Sequence, residues 1–478
     1  MARLRPIATP DTGRRGSAAA PLECGSPLPL SYTAPFPPHA RPPLLGQAKR
    51  QRAGTLHKTA SMWSAAAPCR FPTTAPSSPH ARPPLRAQAK RQRAGALHTP
   101  LPPLPTGRLS RVRVLIVPDK FKGTLTADRV ANAIAAGWKK VRPKDRLELL
   151  PMSDGGDGFG PVIGGLLNAR IRTVATLDAA QRPCRARWWW AEARRIAILE
   201  TAQSNGLALL PKGRFHPFDL DTTGVAKLIQ SALKAGATTC LLGVGGSATN
   251  DGGFGMARAL GWKFKDRDGL DLERWTDLDR LVDLHPPEAG LPKCRFLVAT
   301  DVSNPLLGKT GASRIYGPQK GLKPSDMETA ERHLGQLARV VRKSIGFDDR
   351  LPGCGAAGGL GYGLQAFLGA RRELGFDVFA RLSRLEKAIT RADLVVTGEG
   401  AVDESSLMGK GVGQLLELCG GLGRPVVIFG GRVELGRNRP RALLAAKGLV
   451  DITDTETALR QPARLLARLA GSVAAELP

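Results

Sequence analysis

One pattern recurs from residue 112 onward: a short apolar run, a loop rich in glycine and acidic residues, and then a helical pattern. The apolar runs have the length and composition of strands that are buried on both faces. They are VRVLIV (112–117), RLELLPM (146–152), RIAILETA (195–202), TTCLLGV (238–244), RFLVAT (295–300), ADLVVTG (392–398) and RPVVIFG (424–430). Strands that alternate with helices predict an α/β fold with largely parallel sheets. More than six strands within residues 111–478 favour two α/β domains over one.

Helical patterns lie between several of these runs, at 223–235, 325–343, 356–370, 376–391 and 411–420. After the first strand, Thr126 is a candidate N-cap, and Val130, Ile134 and Trp138 recur on one helical face. The segment WWW (188–190) is predicted as an apolar strand at a domain interface. The amphipathic segment 463–477 is predicted as a helix that packs on the protein surface.

The loops that follow five of the strands combine glycine with carboxylates and lysines. They are PDKFKGT (118–124), SDGGDG (153–158), GVGGSATNDGGFG (243–255), DVSNPLLGKTGASRIYGPQKG (301–321) and GEGAVDESSLMGKG (398–411). In open parallel sheets, ligands bind at the carboxyl ends of the strands. We therefore expect these loops to face one cleft.

The residue types in the loops suit phosphoryl transfer. Glycine lets backbone N–H groups approach phosphate oxygens, and helix N-termini favour anions. Carboxylates can hold Mg²⁺ or accept a hydroxyl proton, and lysines neutralise phosphate charge. Five such loops together favour this chemistry more strongly than any single loop does.

The loop 243–255 has two interpretations. Its glycines would wrap an anionic ligand while Asp251 supplies metal or proton chemistry beside it. Alternatively, it is a tight strand-to-helix turn in which Asp251 caps the following helix.

The same loop leaves an oxidoreductase open as an alternative. GVGGSA (243–248) fits a dinucleotide-binding fingerprint, and Asp266 or Asp268 lies at a suitable distance for a ribose contact. Such a protein would use NAD, but this interpretation leaves the other four loops unexplained.

Residues 1–110 differ from the rest of the chain. The formal net charge is +29, and this segment carries 16 of the 70 basic residues but 2 of the 41 acidic ones. HARPPLLGQAKRQRAGTLH from His39 recurs as HARPPLRAQAKRQRAGALH from His80, a period of 41 residues. The segment lacks a periodic apolar face, so we expect a disordered Pro/Arg-rich extension. A misassigned start codon, a targeting extension and a nucleic-acid-binding tail remain three open explanations.

The seven cysteines show no CxxC spacing, which argues against a disulfide framework or a zinc site and favours a reducing compartment. No apolar run reaches the roughly 18–20 residues of a membrane span. A cytoplasmic protein without a membrane partner is therefore expected. Nucleic acid is disfavoured as a partner, because nearly half of the net positive charge lies in residues 1–110, for which the tail explanation stays open. A homodimer is left open.

At these motifs the sequence resembles the bacterial class I glycerate kinase family, from about Val112 to near the C-terminus. The resemblance is carried by PDKFKGTLTA, PMSDGGDG, ETAQSNGL, GVGGSATNDGGFGMARALG, ATDVSNPLLGKTGASRIYGPQKG, PGCGAAGGLGYGLQAFLGA and ADLVVTGEGAVDESSLMGKG. It implies two α/β domains, one Rossmann-like and discontinuous and one inserted, with a cleft between them. It also implies that ATP and Mg²⁺ serve to phosphorylate D-glycerate, giving 2-phosphoglycerate. Because Lys120 stands where the family usually has a small hydroxyl residue, another small hydroxy acid stays open as substrate.

The resemblance and the loop chemistry together suggest roles for individual residues. The candidates for catalysis are Asp119, Lys122, Asp251 and Asp301. The candidates for substrate binding are Lys120, Arg314 and Lys320. The nucleotide would contact Gly245, Gly246, Ser247, Thr249, Glu399, Asp403 and Lys410. The metal would be held by Asp154, Asp157 and Asp251.

Overall fold

The computed structural model describes residues 111–477 except 291, 408–410 and 437–438. The predicted extension of residues 1–110, with its repeat, lies outside the described residues. The described strands are β1 Arg113–Ile116, β2 Arg146–Leu149, β3 Arg170–Leu177, β4 Pro183–Ala191, β5 Ile196–Glu200, β6 Thr239–Gly243, β7 Lys263–Lys265, β8 Asp283–His285, β9 Arg295–Ala299, β10 Arg371–Glu373, β11 Leu394–Val402, β12 Val426–Val433 and β13 Leu443–Gly448.

Two large sheets hold eleven of these strands, and β7 and β8 form a separate antiparallel pair. The first has the order β13-β12-β11-β1-β2, and all its strand pairs are parallel. The second has the order β10-β9-β6-β5-β4-β3, with antiparallel pairing only in β3–β4 and β4–β5. All strands of the second sheet lie between β2 and β11 in sequence. The α/β class is therefore confirmed, with a discontinuous first sheet and an inserted second one.

Helices connect and cover the strands. They are α1 Ala127–Val141, α2 Phe159–Leu166, α3 Ala202–Asn205, α4 Thr223–Lys234, α5 Phe254–Ala259, α6 Ala312–Tyr316, α7 Met327–Ile345, α8 Leu360–Leu368, α9 Gly375–Ser383, α10 Leu385–Arg391, α11 Glu404–Leu407, α12 Gly411–Gly421, α13 Thr455–Arg460 and α14 Pro462–Glu476.

The start of α1 follows the sequence prediction. The side chain of Thr126 accepts a hydrogen bond from the Arg129 N–H, which satisfies one of the free donors of the first turn. Val130, Ile134 and Trp138 are fully buried, and they share a core with the C-terminal helix α14. The amphipathic segment 463–477 is therefore a packing helix, as predicted.

Two helix predictions were wrong in detail. The pattern over 376–391 forms two helices, because Arg384 adopts a left-handed conformation with φ of 54°. The pattern over 356–370 becomes helical only at Leu360, because Gly358 and Gly359 have positive φ and hold the chain in a turn.

A shared core joins the two sheets. It contains Leu115 and Val395 from the first sheet and Ile198 and Leu241 from the second. Trp189 belongs to this core, whereas its neighbours in the WWW segment pack on the opposite face of β4. Among the described residues, no helix is both long and apolar enough to span a bilayer.

Candidate active site

A pocket of about 710 Å³ lies where the loops after several strands of both sheets meet. It brings together many of the predicted residues, which line its wall: Asp119, Lys120, Lys122, Asp154, Asp157, Gly246 and Glu399. The remaining predicted and described residues lie outside the lining: Gly245, Ser247, Thr249, Asp251, Asp301, Arg314, Lys320 and Asp403. Lys410 lies outside the described residues.

The loop after β1 supplies Asp119 and Lys120. The Asp119 N–H donates to Gly398 O at 2.8 Å, which fixes this loop to the end of β11. The Lys120 N–H donates to Asp119 Oδ1 at 2.7 Å. Burial raises the pKa of Asp119 to about 7, with Lys120 opposing the shift and the charges of Asp154 and Glu399 adding to it. A carboxyl group with such a pKa can exchange a proton near neutral pH.

The loop after β2 supplies Asp154 and Asp157 and leads into α2. The Gly156 N–H donates to Asp154 Oδ1 at 3.0 Å. At the start of α2, Glu200 accepts hydrogen bonds from the N–H groups of Gly158 at 3.1 Å and Gly160 at 3.0 Å. Glu200 therefore satisfies free donors of the helix N-terminus and holds the loop in place. Glu200 was not among the residues predicted from the sequence, although it ends the strand run RIAILE.

The loop after β6 touches the loop after β2 through glycines. A Cβ atom on Gly246, where φ is +73°, would lie 1.9 Å from Asp157 Oδ1. A Cβ atom on Gly245 would lie 2.4 Å from the Cα atom of Gly156. These two glycines are required for the close approach of the loops, which brings Gly246 into the pocket wall.

Farther along the same loop, Ser247 and Thr249 are held in place by hydrogen bonds from Lys320. The ammonium group of Lys320 donates to Ser247 Oγ at 2.9 Å and to Thr249 O at 2.7 Å. Its side chain is buried, and desolvation lowers the pKa to about 7, against the opposing effect of Asp251. These contacts make Lys320 a support for the glycine loop.

Asp251 has the contacts of a helix cap. Its side chain is fully buried, and Oδ2 accepts hydrogen bonds from the Thr222 N–H, the Thr222 hydroxyl and the Gly255 N–H at 2.7–3.0 Å. Oδ1 accepts from the Gly253 N–H at 3.2 Å. Burial raises the pKa of this carboxyl to about 6, and Asp221 adds to the shift. The predicted catalytic and metal roles of Asp251 stay predictions, and its contacts favour the capping alternative.

Asp301, after β9, lies outside the pocket lining. Its Oδ1 accepts from the Gly375 N–H at 2.7 Å, at the start of α9, whereas Oδ2 is buried without a hydrogen-bond partner. Burial raises the pKa of Asp301 to about 7, and the neighbouring charge of Asp154 adds to the shift. A buried carboxylate oxygen that lacks a hydrogen-bond partner and is acted on by the charge of Asp154 fits an electropositive ligand.

The other predicted residues have varied surroundings. Glu399 lines the pocket from within β11, so the prediction of a loop from Gly398 was wrong, because this strand continues to Val402 by pairing with β12. Asp403 Oδ1 accepts the Ser406 N–H at 3.0 Å and so caps α11. Arg314 is exposed on α6, where its charge acts on Glu331.

The far wall of the pocket was not predicted. It is formed by Gly431 and Arg432 of β12 and by apolar and hydroxyl side chains of the C-terminal segment, namely Leu449, Val450, Thr455, Ala458, Leu459 and Pro462. The sequence GGR at the end of the run RPVVIFG was a sixth glycine motif at a strand end, and it could have indicated Gly431 and Arg432. The C-terminal segment carries no comparable signal.

The oxidoreductase alternative is not supported by the position of Asp266. This residue follows β7, where its Oδ1 accepts the N–H groups of Asp268 and Leu270, both at 3.0 Å. It also forms an ion pair with Arg280. Asp266, the residue that would contact the ribose of NAD, is therefore used in a local turn.

The donor set fits Mg²⁺ that is carried by a phosphate ligand. Among the described residues, no group of three or more His, Cys, Asp or Glu side chains is arranged to hold a metal ion by itself. Mg²⁺ in nucleotide sites commonly takes one or two carboxylates and completes its shell with phosphate and water. Asp119 and Asp154 at the pocket wall match that requirement. Asp301 Oδ2 is a further buried carboxylate oxygen without a hydrogen-bond partner.

Comparisons with known proteins identify the family of this chain. The model of the glycerate kinase family matches residues 114–477. A glycerate kinase from Halalkalibacterium halodurans is 33% identical over 369 residues, which cover 76% of this chain and 97% of the relative. A glycerate 2-kinase from Escherichia coli K12 is 36% identical over 303 residues, covering 63% of this chain and 80% of the relative.

A solved structure gives the same result. The crystal structure of a provisionally named glycerate kinase 2 from Salmonella typhimurium LT2 is similar with a TM-score of 0.65 and 32% identity. The similarity covers 77% of this chain and 98% of the other. By the extent of the family match and the identity to these relatives, the chain belongs to the glycerate kinase family of phosphotransferases.

Proposed function

We propose that this protein transfers the γ-phosphoryl group of ATP to D-glycerate and forms 2-phosphoglycerate. The observation that carries the proposal is the pocket in which carboxylates, lysines and a glycine loop from both sheets converge. This combination supplies the positioning and the electrostatic stabilisation on which phosphoryl transfer depends. The names of the relatives, glycerate kinase and glycerate 2-kinase, support the substrate and the product.

Asp119 is our candidate for the group that accepts the hydroxyl proton of glycerate. It lines the pocket, and its pKa of about 7 leaves a substantial fraction ionised at neutral pH. A general base with a pKa near the working pH is ionised in a large fraction of the molecules and still has a high affinity for the proton. Lys122, which is exposed in the pocket wall, would neutralise charge on the transferring group.

The nucleotide would lie between the glycine loop and the C-terminal wall. Gly246 lets backbone approach the phosphates, and the apolar side chains of Leu449, Val450 and Ala458 offer a surface for the adenine ring. Mg²⁺, when bound, would neutralise phosphate charge. Asp154 is the pocket residue that would hold it, with Asp157 as a second candidate. Asp119 is the alternative Mg²⁺ ligand, and in that role it would not serve as the proton acceptor.

The test is ADP formation by the full chain with ATP, Mg²⁺ and D-glycerate. Glycolate, D-lactate and L-glycerate serve as comparison substrates, and NAD reduction with D-glycerate tests the oxidoreductase alternative. We expect turnover that depends on D-glycerate and no NAD reduction. Preference for another hydroxy acid would correct the substrate, and ADP formation that no hydroxy acid stimulates would contradict the proposal.

A pair of variants tests the pocket itself. D119N should lower kcat by about a hundredfold or more, because the amide cannot accept the proton. D128N is the matched control: Asp128 is exposed in the first turn of α1, after the same loop. It should retain the activity of the wild type. Equal activity of D119N and the wild type would remove Asp119 from the mechanism.

A further inference from the structure

The ammonium group of Lys120 lies between carboxylates from two neighbouring loops. Lys120 Nζ is 3.6 Å from Asp119 Oδ1, in the loop after β1, and 3.7 Å from Asp154 Oδ1, in the loop after β2. The Lys120 side chain is only 20% exposed. Gly156 borders the same position, since a Cβ atom there would lie 3.4 Å from Nζ. These contacts therefore define the position of the ammonium group within the pocket wall.

The surrounding carboxylates attract this ammonium group. Its Nζ lies 3.6 Å from Asp119 Oδ1 and 3.7 Å from Asp154 Oδ1, distances at which opposite charges stabilise each other. The charge of Lys120 also acts on Glu200 at the end of β5. Lys120 is thus a fixed positive charge in the part of the pocket where most of the carboxylates converge.

A divalent cation would be attracted to the same carboxylates. Asp119 and Asp154 are the two pocket residues assigned above to Mg²⁺, and both already face the Lys120 ammonium group. Two cations cannot occupy one small group of carboxylates without mutual repulsion, which is strong where water is partly excluded. Any metal that binds there must move Lys120 or bring anionic ligands of its own.

We propose that Lys120 is a built-in counter-ion that weakens the binding of free divalent cations to this pocket and so favours metal that arrives with a nucleotide. In the unliganded protein, the ammonium group balances carboxylates that would otherwise repel one another. When a metal–nucleotide complex enters, its phosphate oxygens supply anionic partners for the same lysine. The proposal rests on the proposed function and assigns Lys120 a positioning role that differs from direct contact with the substrate.

The test is a titration of the full chain with Mn²⁺ in the absence of nucleotide, followed by electron paramagnetic resonance of the unbound ion. K120M should bind Mn²⁺ at least about tenfold more tightly than the wild type, because the competing charge is gone. K120R keeps the charge and should bind like the wild type. K122M is the matched control, since Lys122 is an exposed lysine of the same loop. Its affinity for Mn²⁺ should change by less than about threefold.

Unchanged or weaker binding of Mn²⁺ by folded K120M would overturn the proposal, and so would equal tightening in K122M. K120Q takes the place of K120M if the methionine variant does not fold. Failure of both neutral variants to fold would assign Lys120 a structural role and would also overturn the proposal. The Mn²⁺ titration does not depend on turnover. Tighter Mn²⁺ binding by K120M in a protein that does not phosphorylate D-glycerate would therefore support the role of Lys120 and refute the proposed function.

Discussion

Replacement of Asp251 by alanine should destabilise the fold strongly. The side chain is fully buried and accepts four hydrogen bonds, from Thr222 N–H, Thr222 Oγ1–H, Gly253 N–H and Gly255 N–H. A buried donor that loses its acceptor costs about 1–3 kcal/mol. The alanine variant no longer buries a carboxylate, and this partly offsets the loss. We therefore use the lower end of that range, about 1 kcal/mol, for each of the four donors. The free energy of unfolding should therefore fall by about 4 kcal/mol.

The assay is equilibrium unfolding in urea at pH 8, followed by tryptophan fluorescence. D251N should lose about 2 kcal/mol, because its oxygen can keep the three bonds of Oδ2 while its amide group faces the Gly253 N–H. D454A is the matched control. Asp454 caps α13 in the same way, with Oδ1 accepting the Thr457 N–H, but it is exposed. It should lose only about 1 kcal/mol.

Two results would refute this reasoning. If D251A lost no more stability than D454A, the four buried bonds would not hold the loop. If D251N kept the stability of the wild type but lost turnover by orders of magnitude, Asp251 would act directly in the chemistry, as the sequence analysis first suggested.

Two further perturbations test the packing and the electrostatics around the pocket. G160A should lower the free energy of unfolding by about 1–3 kcal/mol, because its Cβ atom would lie 1.9 Å from the Trp189 ring. G165A, with open space in the same helix, should leave that free energy unchanged or raise it slightly, as measured by urea unfolding. Burial lowers the pKa of Lys320 from 10.5 to about 7, so the free energy of unfolding rises as the pH increases from about 7 towards 10.5, where the unfolded chain also releases this proton. Between pH 7 and pH 9, the wild type should therefore gain about 2 kcal/mol relative to K320M, and a difference that is constant or shrinks with pH would contradict the burial of Lys320.

The sequence predicted the framework because local patterns determine it. Apolar runs such as 112–117 and 238–244 became β1 and β6, each of which pairs with a parallel neighbour on both sides. Since parallel strands direct their carboxyl ends to one edge, the loops after them were expected to meet. Asp119, Asp154 and Gly246 do line one pocket.

Other features depend on contacts between distant parts of the chain. The strand-end position of Asp251 resembles that of Asp119, yet Thr222 lies close enough to surround its carboxylate with donors. Glu200 caps α2 from another sheet, and no local pattern indicates this. The C-terminal wall around Leu449 lacks any motif, because an apolar surface for a ligand has the same composition as a packing surface.

The central claim is that the pocket transfers a phosphoryl group from ATP to glycerate. The most direct measurement is ³¹P NMR of the full chain with ATP, Mg²⁺ and D-glycerate, with D119N measured in parallel. The account predicts that the γ-phosphate signal of ATP declines while the resonance of 2-phosphoglycerate grows, and that both changes are strongly slowed in D119N. ATP that stays intact with folded protein, or a phosphoglycerate signal that grows equally fast in D119N, would contradict it.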